Sequence, residues 1–168
     1  MAELTRNLWG VAIDSTKGAS DGVYTWVPVD KSTTYELGFN AQTDTKGFIS
    51  DKNDSTVVKS YQVAMDQEIT LDNENPLYKF MRAYAMSMPV GADAECPVLV
   101  VQPDDTTGKP TIGYVWPNAM ITPTAINSVD GILTFNIAFN GDPIEGTVAG
   151  WGTGTVTFSK TVAGGSGE

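Results

Sequence analysis

The 168-residue chain carries 20 acids against 10 bases and no histidine, for a formal net charge of −10. That balance argues against a primary nucleic-acid binder, which needs a basic footprint, and the missing histidine removes Ser-His and Cys-His nucleophilic systems and every His-based metal site. A single cysteine, Cys96, excludes an internal disulfide framework, while 41% hydrophobic and 18% charged residues suit one folded domain spanning 1–168.

The N-terminal "MAELTRNLWG" has no apolar signal core, and no run approaches a membrane span, so synthesis in the cytoplasm is expected. Residues 8–13, "LWGVAI", read as a first strand, and "VYTWVPV" (23–29) as a second after the turn-rich "DSTKGASDG". Residues 30–56 are polar and weakly patterned. Such a stretch inside a compact domain predicts a functional excursion, an arm that gains order on a partner. Within it "YELGFNAQTDTKGFIS" predicts a hairpin with its tip near Thr43–Lys46.

Residues 57–71 read as one long strand, bent or broken near Asp66. Tyr61, Val63, Met65, Ile69 and Leu71 fall on one side, with Gln67 the exception, and Asp66, Glu68, Thr70 and Asp72 on the other. The wet side carries acids and no base. Solvation alone explains acids on a strand face; so does a surface built to repel something negative.

"DNENPLYKFMRAYAMS" predicts the one helix, about residues 76–88, capped by Asn75 with Pro76 at the first helical position. Leu77, Phe80, Met81, Tyr84, Ala85 and Met88 make its apolar stripe, and Pro89 stops it. Beyond it, "CPVLVVQP" (96–103) and "TIGYVWP" (111–117) read as a hairpin across "DDTTGK". "NAMITPTAINS" (118–128) and the alternating "GILTFNIAF" follow, and the turn "NGDP" (140–143) returns the chain through "IEGTV". A last strand, "TGTVTFSKTV", precedes the Gly/Ser-rich tail of 163–168. About eight strands and one helix predict a mainly β chain, a β-sandwich or barrel with the helix over one edge and a long extended loop.

The chemical motifs fail on inspection. "TTGKPT" lacks the upstream glycine of a phosphate loop and has Pro110 where a hydroxyl residue belongs. "DSTKGASDG" lacks calcium-loop spacing. Asp66 with Glu68, and Asp104 with Asp105, are carboxylate pairs of the kind a glycosidase needs, but a strand face and a turn hold solvated acids equally well. Cys96, before Pro97 and an apolar run, reads as a buried, inert thiol, and Trp9, Trp26, Trp116 and Trp151 sit in apolar strand contexts that favour core packing over a carbohydrate platform. Neither catalysis nor a cofactor or metal is expected.

The order of features resembles the major tail tube proteins of long-tailed, siphophage-type bacteriophages. The residues that carry it are Trp9 and the later "WVPV", "GFISDKNDSTVVKSYQVAMDQEITL", the helix "NPLYKFMRAYAMS", "CPVLVV" and "DGILTFNIAFNGDPIEGTV". It spans roughly residues 8–160, and "FNGDPIEGTV" is its most specific piece. The resemblance implies a β-sandwich with one flanking helix, six copies per ring, and rings stacked into a hollow tube around a tape-measure protein. Tail terminator and distal tail proteins would be further partners, and DNA would pass through an acidic lumen without specific binding. It also implies a virion-tail location after assembly in the host cytoplasm. Asp66, Glu68, Thr70 and Glu145 would face that lumen; Tyr35, Leu37, Phe39, Phe48 and Ile49, in the 30–56 arm, would make the ring-to-ring contact. The same fold class serves contractile tails and type VI secretion tubes, which the sequence does not separate, and a carbohydrate-binding sandwich is the alternative from another class.

Overall fold

The structure, a computed structural model, describes residues 8–17, 24–30, 32 and 35–161; the 163–168 tail and part of the 30–34 segment lie outside them. The architecture is mainly β with one α-helix, as expected. Eleven strands are described: β1 (Gly10–Asp14), β2 (Trp26–Pro28), β3 (Ala41–Lys46), β4 (Ser55–Tyr61), β5 (Val63–Thr70), β6 (Val98–Gln102), β7 (Ile112–Trp116), β8 (Met120–Asn127), β9 (Ile132–Phe139), β10 (Ile144–Ala149) and β11 (Thr157–Lys160). They form a six-stranded sheet in the order β11-β10-β7-β6-β1-β2, a three-stranded sheet β5-β9-β8, and a separate two-stranded hairpin β3-β4. Every pairing between these strands is antiparallel.

The apolar run "VLVV" of β6 explains why the larger sheet lies at the centre. A strand buried on both faces needs apolar residues at successive positions. Val98 and Val100 point to the core shared with the three-stranded sheet, where Val11, Ile13 and Trp116 meet Met65, Ile69, Ile121, Leu133, Phe135 and Ile137. Leu99 and Val101 point the other way, into a second core with Ala12, Val115, Val148, Trp26 and Val156, flanked by half-buried Trp151 and Phe158. Trp26 and Trp116 are buried as expected. Trp9 is half-buried, edge-on to Tyr35 with ring centroids 6.4 Å apart.

The second core depends on glycines. A Cβ on Gly10 would enter the Trp151 ring, and one on Gly146 would enter Phe158 and the Ser159 carbonyl. We expect Gly10→Ala to cost about 1–3 kcal/mol by overpacking, each kcal/mol lowering Tm by roughly 2–4 °C in a chain of this size. Gly154→Ala, where an added Cβ meets open space, should leave Tm unchanged in the same melt. Equal melting temperatures for the two variants would refute the close approach.

The helix α1 (Pro76–Ser87) forms where its signals place it: the Asn75 side chain accepts a hydrogen bond from the Leu77 amide at 3.0 Å, and Pro76 opens the first turn. It touches β2 and β8, the edges of the two sheets, and so covers one side of the sandwich. Leu77, Met81 and Tyr84 are buried there. The Tyr84 hydroxyl lies 2.9 Å from the Ala94 carbonyl and 2.7 Å from that of Ile121, pinning the helix to β8. Met88 does not extend the stripe. It takes a left-handed conformation (φ 47°) that ends the helix, and its side chain is 75% exposed.

Three other expectations are corrected. The strand read as 57–71 is two strands that part at Gln62, not near Asp66: β4 belongs to the hairpin and β5 to the sandwich. Thr43–Lys46 lie within β3, not at a tip; the hairpin turns through residues 47–54, so its arm is longer than the composition suggested. The "NGDP" turn makes no hairpin either. It carries the chain from β9 into the other sheet, where β10 pairs with β7 and β11.

Candidate functional surfaces

Strand β5 lays out its residues as the alternation predicts. Met65, Gln67 and Ile69 are buried, whereas Asp66 and Thr70 are exposed and Glu68 half-exposed on the opposite face. Gln67 is the polar exception among the inward positions; its side-chain oxygen accepts from the Ser32 hydroxyl at 2.8 Å. Register with β9 puts Asp66 beside Asn136 and Glu68 beside Thr134. The Asn136 side-chain amide donates to Asp66 Oδ1 at 2.8 Å, and the Thr124 and Thr134 hydroxyls meet at 2.7 Å across to β8. Asp66, Glu68, Thr124 and Thr134 thereby line a shallow hollow of about 260 Å³ on the outside of the three-stranded sheet.

No lysine or arginine occurs in any of the three strands. The face carries carboxylates among amides and hydroxyls, and it lacks the cationic side chains that would neutralise a phosphate. Among the described residues no group of three or more His, Cys, Asp or Glu side chains that could hold a metal ion occurs. Glu145 is not part of this face. It is exposed on β10 in the six-stranded sheet, opposite Tyr114 of β7, because the chain changes sheets after Phe139.

The second surface is the hairpin. β3 and β4 run from Ala41↔Tyr61 to Lys46↔Ser55 with a bulge at Gln42/Thr43, and continue the ladder in which Gly38 pairs with Ala64. Thr, Val and Ser residues favour the extended chain, and Asp44 draws Lys59 to 3.1 Å and Lys46 to 3.8 Å across one face. All of β4 is exposed, and so is β3 except at one half-buried position. Six or seven residues at about 3.3 Å each carry the arm roughly 20 Å from the body. At its tip, where the Asp51 amide closes a turn onto the Phe48 carbonyl at 2.9 Å, Phe48 and Ile49 stand in solvent. Among the other residues expected at a contact, Tyr35 and Phe39 are exposed in the segment leading into the arm, whereas Leu37 packs half-buried against the main core.

Cys96 is buried, with its thiol 3.2 Å from the Asp14 carbonyl. Burial, and then the Asp14 carboxylate, push its pKa from 9.0 to about 12. A raised pKa means that the folded state holds the proton more tightly, so this contribution to stability is full below pH 9 and is lost as pH rises through 12. Melting curves should therefore fall more steeply between pH 9 and 11 for the native chain than for Cys96→Ala. Parallel curves would show that the thiol does not ionise on unfolding.

Among the described residues no helix is long and apolar enough to cross a membrane. No family model matches the chain, and no curated protein matches its sequence. Solved structures do match. A chain in the cryo-EM structure of the PVC sheath/tube terminator of an extracellular contractile injection system, extended state, superposes with a TM-score of 0.53 at 6% identity; 86% of this chain and 97% of that chain are covered. A chain in the six-fold symmetrised cryo-EM structure of the anti-feeding prophage (AFP) baseplate gives 0.52 at 7% identity, covering 86% and 96%. Over 86% of its length, then, this chain shares its fold with a chain from each of these two assemblies.

Proposed function

We propose that the protein is a structural subunit of a phage-like tail tube, in which rings of six stack into a hollow conduit and no reaction is catalysed. The observation that carries the reading is the β3–β4 arm. A two-stranded hairpin standing alone in water is marginal at best, and among the described residues this one carries exposed apolar side chains, Phe48 and Ile49, at its tip. A second copy of the chain supplies the missing surface, and the fold shared with tube-terminator and baseplate assemblies supports that partner.

In this reading Asp66, Glu68 and Thr70 face the channel, and six-fold repetition turns each into a ring. DNA phosphates then meet repulsion with no base to hold them, so the genome slides. Tape-measure, terminator and distal tail proteins are the other partners, and the assembled tail of a virion is the location. A second reading, a tube or terminator subunit of a contractile tail or secretion machine, is favoured by the source of both structural likenesses. Sedimentation at rising concentration, with negative-stain microscopy of the same samples, tests both readings at once. Rings or tubes about 100 Å wide are expected, on the order of two small domains and a lumen. A monomer at every concentration, with or without tail-tip proteins, defeats both.

A further inference from the structure

We infer that the tip of the arm, Phe48 and Ile49, docks on the β8–β9 turn of a second copy of this chain, where Ile126 and Val129 project. The inference rests on the tube reading and names its ring-to-ring contact. The register of the three-stranded sheet fixes which surfaces can meet. At one end of the sheet Val63 pairs with Phe139, and at the other Thr70 pairs with Ile132. The arm leaves at Gln62, beyond the first end. The β8–β9 turn lies beyond the second, where Asn127 pairs with Ile132. Arm and turn are thus separated by the full eight-residue strand, about 25 Å.

Beyond the arm and the segment leading into it, exposed large apolar side chains among the described residues fall in two places: Met86, Met88 and Val90 around the C-terminal end of α1, and Ile126 and Val129. The first group lies at the arm's own end, because the chain that follows it pairs Glu95 with Met120, Met120 with Ala138, and Ala138 with Ala64. Two copies stacked head to tail bring the arm of one to the Val129 end of the other. Reaching Met88 takes a side-by-side or a two-fold, arm-to-arm arrangement, neither of which stacks one ring on the next.

Charge agrees with the head-to-tail contact. Residues 41–61 hold three lysines and three aspartates, so the arm is neutral, while the rest of the chain has seven bases against seventeen acids. The arm approaches a like-charged body without the repulsion that opposes body-to-body contact. Lys52 at the tip and Asp130 on the turn also have opposite signs. The receiving turn is already ordered: the Asn127 side-chain oxygen accepts from the Val129 and Asp130 amides at 3.0 and 3.1 Å, and its amide donates to Asp130 at 2.7 Å. This holds Val129 outward, 93% exposed, and preorganisation lowers the cost of docking.

The test is disulfide trapping in the full-length chain, whose own Cys96 is buried. Under mild oxidation the double variant Ile49→Cys/Val129→Cys should give a ladder of covalent species beyond the dimer, with each single variant staying monomeric on a non-reducing gel. In parallel, Ile49→Asp and Val129→Asp should each weaken self-association at least tenfold with unchanged circular dichroism, and combining them should add little, because both break one contact. A covalent dimer from Ile49→Cys/Met88→Cys or from Ile49→Cys alone, or assembled tubes with no trapped species, overturns the inference and leaves the tube reading standing. Absence of any self-association in the unmodified protein overturns the tube reading, and the inference with it.

Discussion

Replacing residues 42–60 by Asn-Gly, so that Ala41 and Tyr61 are joined by a tight turn, should abolish assembly while leaving a folded subunit. Ala41 and Tyr61 are already paired across the hairpin, and Asn-Gly is the two-residue turn that matches strand twist. The excised residues are exposed almost throughout, with Asp44 the half-buried exception, so little apolar burial is lost. Tm should shift by no more than a few degrees, whereas sedimentation should change from large species to a monomer or a single ring. If tubes of normal length still form, stacking is carried by another surface. If the shortened chain fails to fold, the hairpin contributes to the core in a way that its exposure denies.

Reversing the charge of the β5 face should have the second largest effect. Asp66→Lys with Glu68→Lys removes the exposed hydrogen bond from Asn136, a loss of about 1 kcal/mol, and should leave assembly intact. In the tube, each ring then presents lysines where it had carboxylates, on strands that otherwise carry no base. DNA retention by assembled tubes should rise tenfold or more at low salt, and the effect should fade as added salt screens and displaces the contacts. Tubes that contain the lysines yet pass DNA as before at low salt would place this face on the outside.

Much of this molecule was legible along the chain because the deciding forces were local. The cap and proline at Asn75–Pro76 determine where α1 begins, and the alternation of 63–70 determines which side chains of β5 are buried. The run "VLVV" between polar turns determines a strand with two buried faces, and the absence of histidine removes whole classes of chemistry. The same pattern put Asp66, Glu68 and Thr70 together on one wet face before any sheet was known. Period-two and period-3.6 signals survive folding because each side chain's direction is set by its own backbone.

Pairing partners are different, for they depend on where the chain goes next. Ser55–Tyr61 has the β-branched composition of a strand, but only tertiary structure decided that it pairs with Ala41–Lys46 away from the body rather than extending β5 within it. Glu145 follows a turn that reads like a hairpin. The larger sheet offered β10 an edge on β7, with Phe158 to cover Gly146, and so the glutamate left the face of Asn136. Met88 matches the helix period, yet one left-handed residue ended the helix and turned it to solvent. In each case the sequence by itself determined what the residue prefers, and long-range packing chose the neighbour that realised it, because the burial gained across two sheets outweighs any signal that one segment carries alone.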